Sequence, residues 1–489
     1  MPLSRFDRRK FMNRRSFVKW MGMLAASAVL PLELARPATR AARNLKAALL
    51  GEVHYVRPAV MPKVIMIFLY GGPSELAGNL TNIAEINANS QNKYPDAILP
   101  TTQNNILTPN FFWGGGVNGA GGETMESLIA SGDLSVYRTI HRIKDDSKAH
   151  GPSVFQNLTG GLDMDGPGIG TTLAAVLAAN QPFGKPVEEL LLPFVSFEGD
   201  SVLFRTGDLT VPLRLKPVAL DSGFQNPYQR SNNGFVSDQE PVIEGLSQQV
   251  SGGLGERGRK IIEAFEKRAE LDNFIKASFS NAAVNQNLPQ EVDANGVPVV
   301  DANNTPVKIQ YPNTNFGNRL KAAISLAISN PDTYFISLGS AGLGGWDDHS
   351  DAIPEYTGRI RELMDALAVA AKHMKLTGRN DIIINVFGDF GRNVNLNNSM
   401  GWDHGNNQNL YTLGGSAVRP GALGKIVGKT QRVGTPFENR QFTEPTADSY
   451  QCEPFAVASS VYKYFGIQNP EILTGEPPID EATPPNQRV

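Results

Sequence analysis

Val64-Ile65-Met66-Ile67-Phe68-Leu69-Tyr70 is an unbroken apolar run that stops at Gly71-Gly72. Successive strand residues point to opposite faces, so such a run is tolerated only where both faces are covered. It predicts a central strand with helices above and below it. Similar runs lie at 134–140, 194–197, 334–338 and 382–387. Between them run helical patterns. Ile360, Leu363, Met364, Leu367, Ala371 and Met374 keep the spacing of one helix face and end near Gly378, and the helix at 319–328 is stopped by Asn330-Pro331. Helix followed by strand, repeated, predicts an α/β fold with right-handed crossovers and a largely parallel central sheet flanked by helices. A chain of 489 residues, 41% of them hydrophobic, can bury the large core this needs.

The charge is uneven. Nine of the 45 basic residues and two of the 48 acidic ones fall in the first 40 positions, so the remaining body carries 36 basic against 46 acidic side chains. An acidic body argues against a nucleic-acid partner, which needs clustered Lys and Arg to neutralise phosphates. The basic start reads Asn13-Arg14-Arg15-Ser16-Phe17-Val18-Lys19 and runs into an apolar stretch at 20–34 in which only Glu33 is charged. That order resembles a twin-arginine export signal, drawn here as 1–42, which implies the twin-arginine translocation machinery as a partner and a periplasmic or secreted destination. The stretch is shorter than the ~20 apolar residues of a membrane-spanning helix. Cys452 is the one cysteine, which excludes an internal disulfide and cysteine-cluster metal sites.

The main domain is read as 60–470, with a helical and hairpin insertion at about 240–315 and a tail at 471–489. Within the insertion, Asp293-Ala294-Asn295-Gly296-Val297-Pro298-Val299 nearly repeats as Asp301-Ala302-Asn303-Asn304-Thr305-Pro306-Val307. With no loop-closing glutamate, turn chemistry explains the Asp and Asn better than calcium does.

In open α/β sheets, ligands bind outside the carboxyl ends of the strands. The residues there are Gly71-Gly72-Pro73-Ser74-Glu75, then Gly345-Trp346-Asp347-Asp348-His349, then Asp389-Phe390-Gly391-Arg392, then Trp402-Asp403-His404-Gly405, with Ala149-His150-Gly151-Pro152 after the strand at 134–140. Imidazole beside carboxylate suits a divalent metal (Zn, Mn, Mg or Ca), with Asp347, His349, Asp389, His404, Glu75 and His150 as candidate ligands. Each has a plainer alternative: a capping loop before the helix near Pro354, or an Asp389–Arg392 structural ion pair. His54, His141 and His373 are assigned to packing or surface.

These motifs, in this order over about 60–470, resemble the domain-of-unknown-function 1501 family. The family is similar to the alkaline phosphatase and sulfatase superfamily, which implies a three-layer fold of that kind and a metal-dependent hydrolase ancestry. The chain departs from the pattern in three places. Glu75 is the sole carboxylate near the double glycine, Asp389 stands where relatives often have Glu, and Cys452-Glu453-Pro454 lacks the Arg of a sulfatase nucleophile motif. Ser74 is the substitute nucleophile, with turn chemistry as its alternative, and Arg392 would steady an anionic ester substrate. Two function classes stay open: an exported metal-dependent hydrolase of phosphate or sulfate esters, or a catalytically inactive exported binding or assembly protein that keeps the fold.

Overall fold

The computed structural model describes residues 49–98, 121–207, 209–220, 270–293, 295–434 and 440–482, with isolated positions between 102 and 113 and between 245 and 267. The export segment at 1–42 and much of the helical part of the insertion lie outside the described residues.

The apolar runs form the sheet. Its strands are β1 (Lys63–Leu69), β2 (Leu134–His141), β3 (Phe194–Ser196), β4 (Val218–Ala219), β5 (Phe335–Gly339), β6 (Ile382–Gly388), β7 (Asn407–Gly414) and β8 (Ile426–Val427), in the order β8-β2-β7-β6-β1-β5-β3-β4. Seven point the same way; β7 runs antiparallel to both β2 and β6. The strand β7 is absent from the sequence reading because Asn407, Gln408 and Asn409 look like loop. All three are buried nonetheless, their amides bonded to backbone: Asn407 donates to the Arg138 carbonyl, Asn409 to that of Glu75, and Gln408 accepts from the Gly388 N–H.

Alternation along β1 separates two hydrophobic layers. Ile65, Ile67 and Leu69 face one cluster with helices α1 (Gly122–Ala130), α4 (Asn315–Ser329) and α5 (Ala352–Leu376). Val64, Met66 and Phe68 face the other, with α2 (His150–Thr159), α3 (Ile169–Asn180) and α6 (Phe455–Tyr464). Each fully buried Leu, Ile or Phe is worth about 1.5–3 kcal/mol over exposure, which is why the sheet sits between helices on both faces. The result is a three-layer α/β fold with a mixed, mostly parallel sheet.

The repeat at 293–307 makes two successive tight loops where one hairpin was predicted. Asp293 Oδ1 accepts from the N–H of Asn295 and Val297, and Asp301 Oδ1 from those of Asn303 and Thr305. The segment after 471 packs on the domain as far as 482: Glu481 is buried and accepts from Arg419 and from the Tyr464 hydroxyl. Among the described residues, no helix is long and apolar enough to cross a membrane.

Candidate functional site

Strands β1, β5, β6 and β2 end at one edge of the sheet, and the loops that leave them meet there. The antiparallel β7 starts at that same edge, with Asn407 opposite His141. Just before it, His404–Gly405 pairs antiparallel with Gly391–Arg392, which brings the 402–405 motif beside the residues that follow β6. Trp346 and Trp402 are fully buried against Tyr356, ring centroids 5.8 and 5.1 Å away, with Trp113 at 4.9 Å from the same tyrosine. This edge-to-face aromatic floor anchors the loops carrying Asp347 and His404 at their first residue.

Arg392 ties the loops together. Its side chain is 0% exposed. It donates to the carbonyls of Gly71, Gly72, Trp346 and Trp402, and Nη2 lies 2.7 Å from Asp347 Oδ1. Gly71 permits the close approach: it has φ of +112°, and a Cβ there would lie 2.6 Å from the Asp347 nitrogen. The Arg392 fork is taken by backbone and Asp347, with Nη1 3.5 Å from His349 Nε2, so it acts as a clamp on these loops.

Three histidines are held alike. His150 Nδ1 lies 2.8 Å from Asp389 Oδ2, His349 Nδ1 3.3 Å from Asp403 Oδ1, and His404 Nδ1 2.5 Å from the Lys148 carbonyl. A carboxylate or carbonyl oxygen only accepts, so each Nδ1 carries a proton and Nε2 is the nitrogen turned to the centre. There His150 Nε2, His349 Nε2 and His404 Nε2 lie 3.2, 3.0 and 3.6 Å from Asp347 Oδ1, and the last two are 3.0 Å from each other. The ligating atoms of His150, Asp347 and His404 all fall within 4.8 Å of one another, a possible His/Asp metal site.

Burial alone would lower the His150 imidazole, yet its bonds to Asp347 and Asp389 outweigh that and push it up to about 9. Burial acts to raise Asp347, but bonds from His150, His404 and Arg392 hold it well below the usual carboxylate range. Asp389 is raised by burial, and its Oδ1 is buried with no hydrogen bond among the described residues.

The remaining candidates sit elsewhere. Asp389 stands behind His150, and its other contact is the Gly71 N–H at 3.1 Å. Glu75 faces away: it accepts from the Thr443 hydroxyl at 2.7 Å and the Arg392 N–H at 3.3 Å, and burial raises it to about 7. Ser74 is 2% exposed, and its Oγ accepts from the Leu76 N–H at 3.4 Å within its own turn. Ser74 thus serves turn chemistry in this structure. Asp348 does not cap a helix; it is buried and paired with Arg359 of α5. The candidate ligands did not include Asp403, although its place beside His404 was the available signal. The Lys148 carbonyl left no trace in the side-chain pattern.

Comparison with known proteins returns distant likenesses. No curated protein matches the chain. Among solved structures, it is similar to Ps i-CgsB in complex with k-i-k-neocarrahexaose, at 12% identity over 84% of this chain and 74% of that one, TM-score 0.35. It is also similar to the integral membrane protein lipooligosaccharide phosphoethanolamine transferase A (EptA) from Neisseria meningitidis, at 11% identity over 95% and 69%, TM-score 0.36. A third likeness is alkaline phosphatase from the Antarctic bacterium TAB5, at 11% identity over 73% and 92%, TM-score 0.28. Scores this low transfer no reaction or ligand to this chain. The family model described as "Protein of unknown function (DUF1501)" matches residues 61–447, and the chain belongs to that family.

Proposed function

We propose that this chain is an exported, divalent-metal-dependent hydrolase acting on phosphate or sulfate esters. The observation that carries the metal is the spacing of Asp347 Oδ1 and the Nε2 atoms of His150, His349 and His404. Lone-pair atoms 3.0–3.6 Å apart repel unless a cation or proton lies between them. The edge of a tetrahedron built on metal–nitrogen bonds of 2.0–2.1 Å is ~3.3 Å, and the donors of His150, Asp347 and His404, all within 4.8 Å of one another, come near it. Two imidazoles and one carboxylate, with His349 beside them, favour Zn, then Mn, over the all-oxygen preferences of Mg and Ca. Such an ion would supply Lewis-acid polarisation of a phosphoryl or sulfuryl oxygen.

The chain's own residues do the rest. Asp389, Asp403 and the Lys148 carbonyl fix the tautomer and tilt of the three rings. Arg392 fixes Asp347. Asp347 and His349 are about half exposed, 48% and 46%, and leave one side of the centre open to an incoming ester. Export rests on the Arg14-Arg15 segment and the twin-arginine machinery it implies.

One observation favours the alternative, an inactive exported binding or assembly protein. Ser74 is held in its own turn, and the Arg392 fork, although it touches Asp347 and His349, is already occupied by four carbonyls. Assay of the purified, metal-loaded chain against aryl phosphates and aryl sulfates separates the readings. Turnover that His404→Ala abolishes supports the hydrolase, whereas metal-loaded protein without turnover supports the inactive relative.

A further inference from the structure

The opposite edge of the sheet carries a second, unrelated cavity. Lys63 opens β1, and seven residues at ~3.3 Å each put it about 20 Å from the histidine cluster. A cavity of about 320 Å³ lies there, walled by Met61 and Ile328 and by the charged residues Arg57, Lys63, Arg379 and Asp381. That volume falls in the range of small-molecule pockets.

The charges do not cancel. Arg379 takes both Asp381 oxygens, at 2.8 and 2.7 Å, so that pair is neutral. Lys63 is 5% exposed, and its ammonium donates to the Asn330 carbonyl; among the described residues no carboxylate lies within ion-pair distance of it. The nearby Asp332 is engaged by Lys185 at 2.7 Å. Arg57 is exposed at the mouth and makes no ion pair among the described residues. Burial first, and the Arg379 guanidinium next, push the Lys63 ammonium down to about 7, the sign of a cation short of a counter-ion. A buried ammonium without a carboxylate is costly, and an arriving anion relieves that cost.

We infer that this cavity is a binding site for a small organic anion, its single anionic head between Lys63 and Arg57 and its apolar body against Met61 and Ile328. The site is distinct from the metal cluster and does not depend on what that cluster does.

Isothermal titration of the full chain with benzoate, neutral benzamide and inorganic sulfate tests it. Benzoate is expected to bind in the millimolar range or tighter, sulfate more weakly, and benzamide not at all. Lys63→Met and Arg57→Ala should each weaken benzoate by about tenfold or more. Should Lys63→Met fail to fold, the exposed Arg57→Ala decides alone. The inference is overturned by absence of benzoate binding, by benzamide or sulfate binding as tightly as benzoate, or by an unchanged affinity in Arg57→Ala.

Discussion

At the scale of single residues, the histidine cluster is governed by what stands behind each ring. Asp403 orients His349 through Nδ1 and touches none of the other inward-facing nitrogens. Its replacement in Asp403→Ala is therefore predicted to weaken metal binding about 10- to 100-fold, read by competition with a chelating dye, while the thermal midpoint hardly moves. Arg392 predicts the reverse. A lysine cannot span four carbonyls and a carboxylate from one planar fork, so Arg392→Lys should cost about 3–5 kcal/mol in urea unfolding. The sequence made the imidazoles and Asp347 legible because Asp-x-His and Asp-His pairs stand at strand ends. It could not separate Asp389, which orients His150, from Asp347, which faces the centre. Both follow strands, and only the path of the chain decides which reaches inward. Ser74 misled for a related reason: a hydroxyl at a strand end reads as exposed until the turn folds over it.

At the scale of elements, the long helix α5 carries a titration that its amphipathic pattern does not reveal. His373 is buried, its Nδ1 3.0 Å from the Tyr311 hydroxyl, and burial lowers it to about 4. The folded value lies below the unfolded value of 6.5, so the unfolded chain takes up the proton first as pH falls. The stability tied to neutral His373 is complete above 6.5 and is lost as pH drops towards 4, at no more than about 1.4 kcal/mol per pH unit. Denaturant midpoints of the wild type against His373→Gln should therefore converge on acidification through that window; parallel curves would contradict the assignment. Strands β1, β2, β5 and β6 were readable as apolar runs, whereas β7 was hidden because its buried amides serve as braces rather than as core. The turn at Gly71 belongs to the same scale. Gly71→Ala places a Cβ against the 346–347 backbone, and the predicted outcome is loss of both metal affinity and more than ~2 kcal/mol of stability by denaturant titration.

At the scale of the molecule, the sheet carries the histidine cluster at one edge and, in our inference, an anion-binding cavity at the other. The parallel topology explains the first: strands that point one way deliver their loops to a common edge, and the single reversed strand starts there, just after His404. That overall plan was legible from the spacing of apolar runs and helical patterns alone. The convergence of three Nε2 atoms on one carboxylate oxygen was not, because the three histidines stand 55 to 254 positions apart along the chain. Elemental analysis of the purified full chain beside a His349→Ala/His404→Ala double variant tests the convergence most directly. About one equivalent of a divalent transition metal, absent from an equally well folded variant, is the result predicted here. Metal-free protein after supplementation, or the same metal content in both chains, would contradict it.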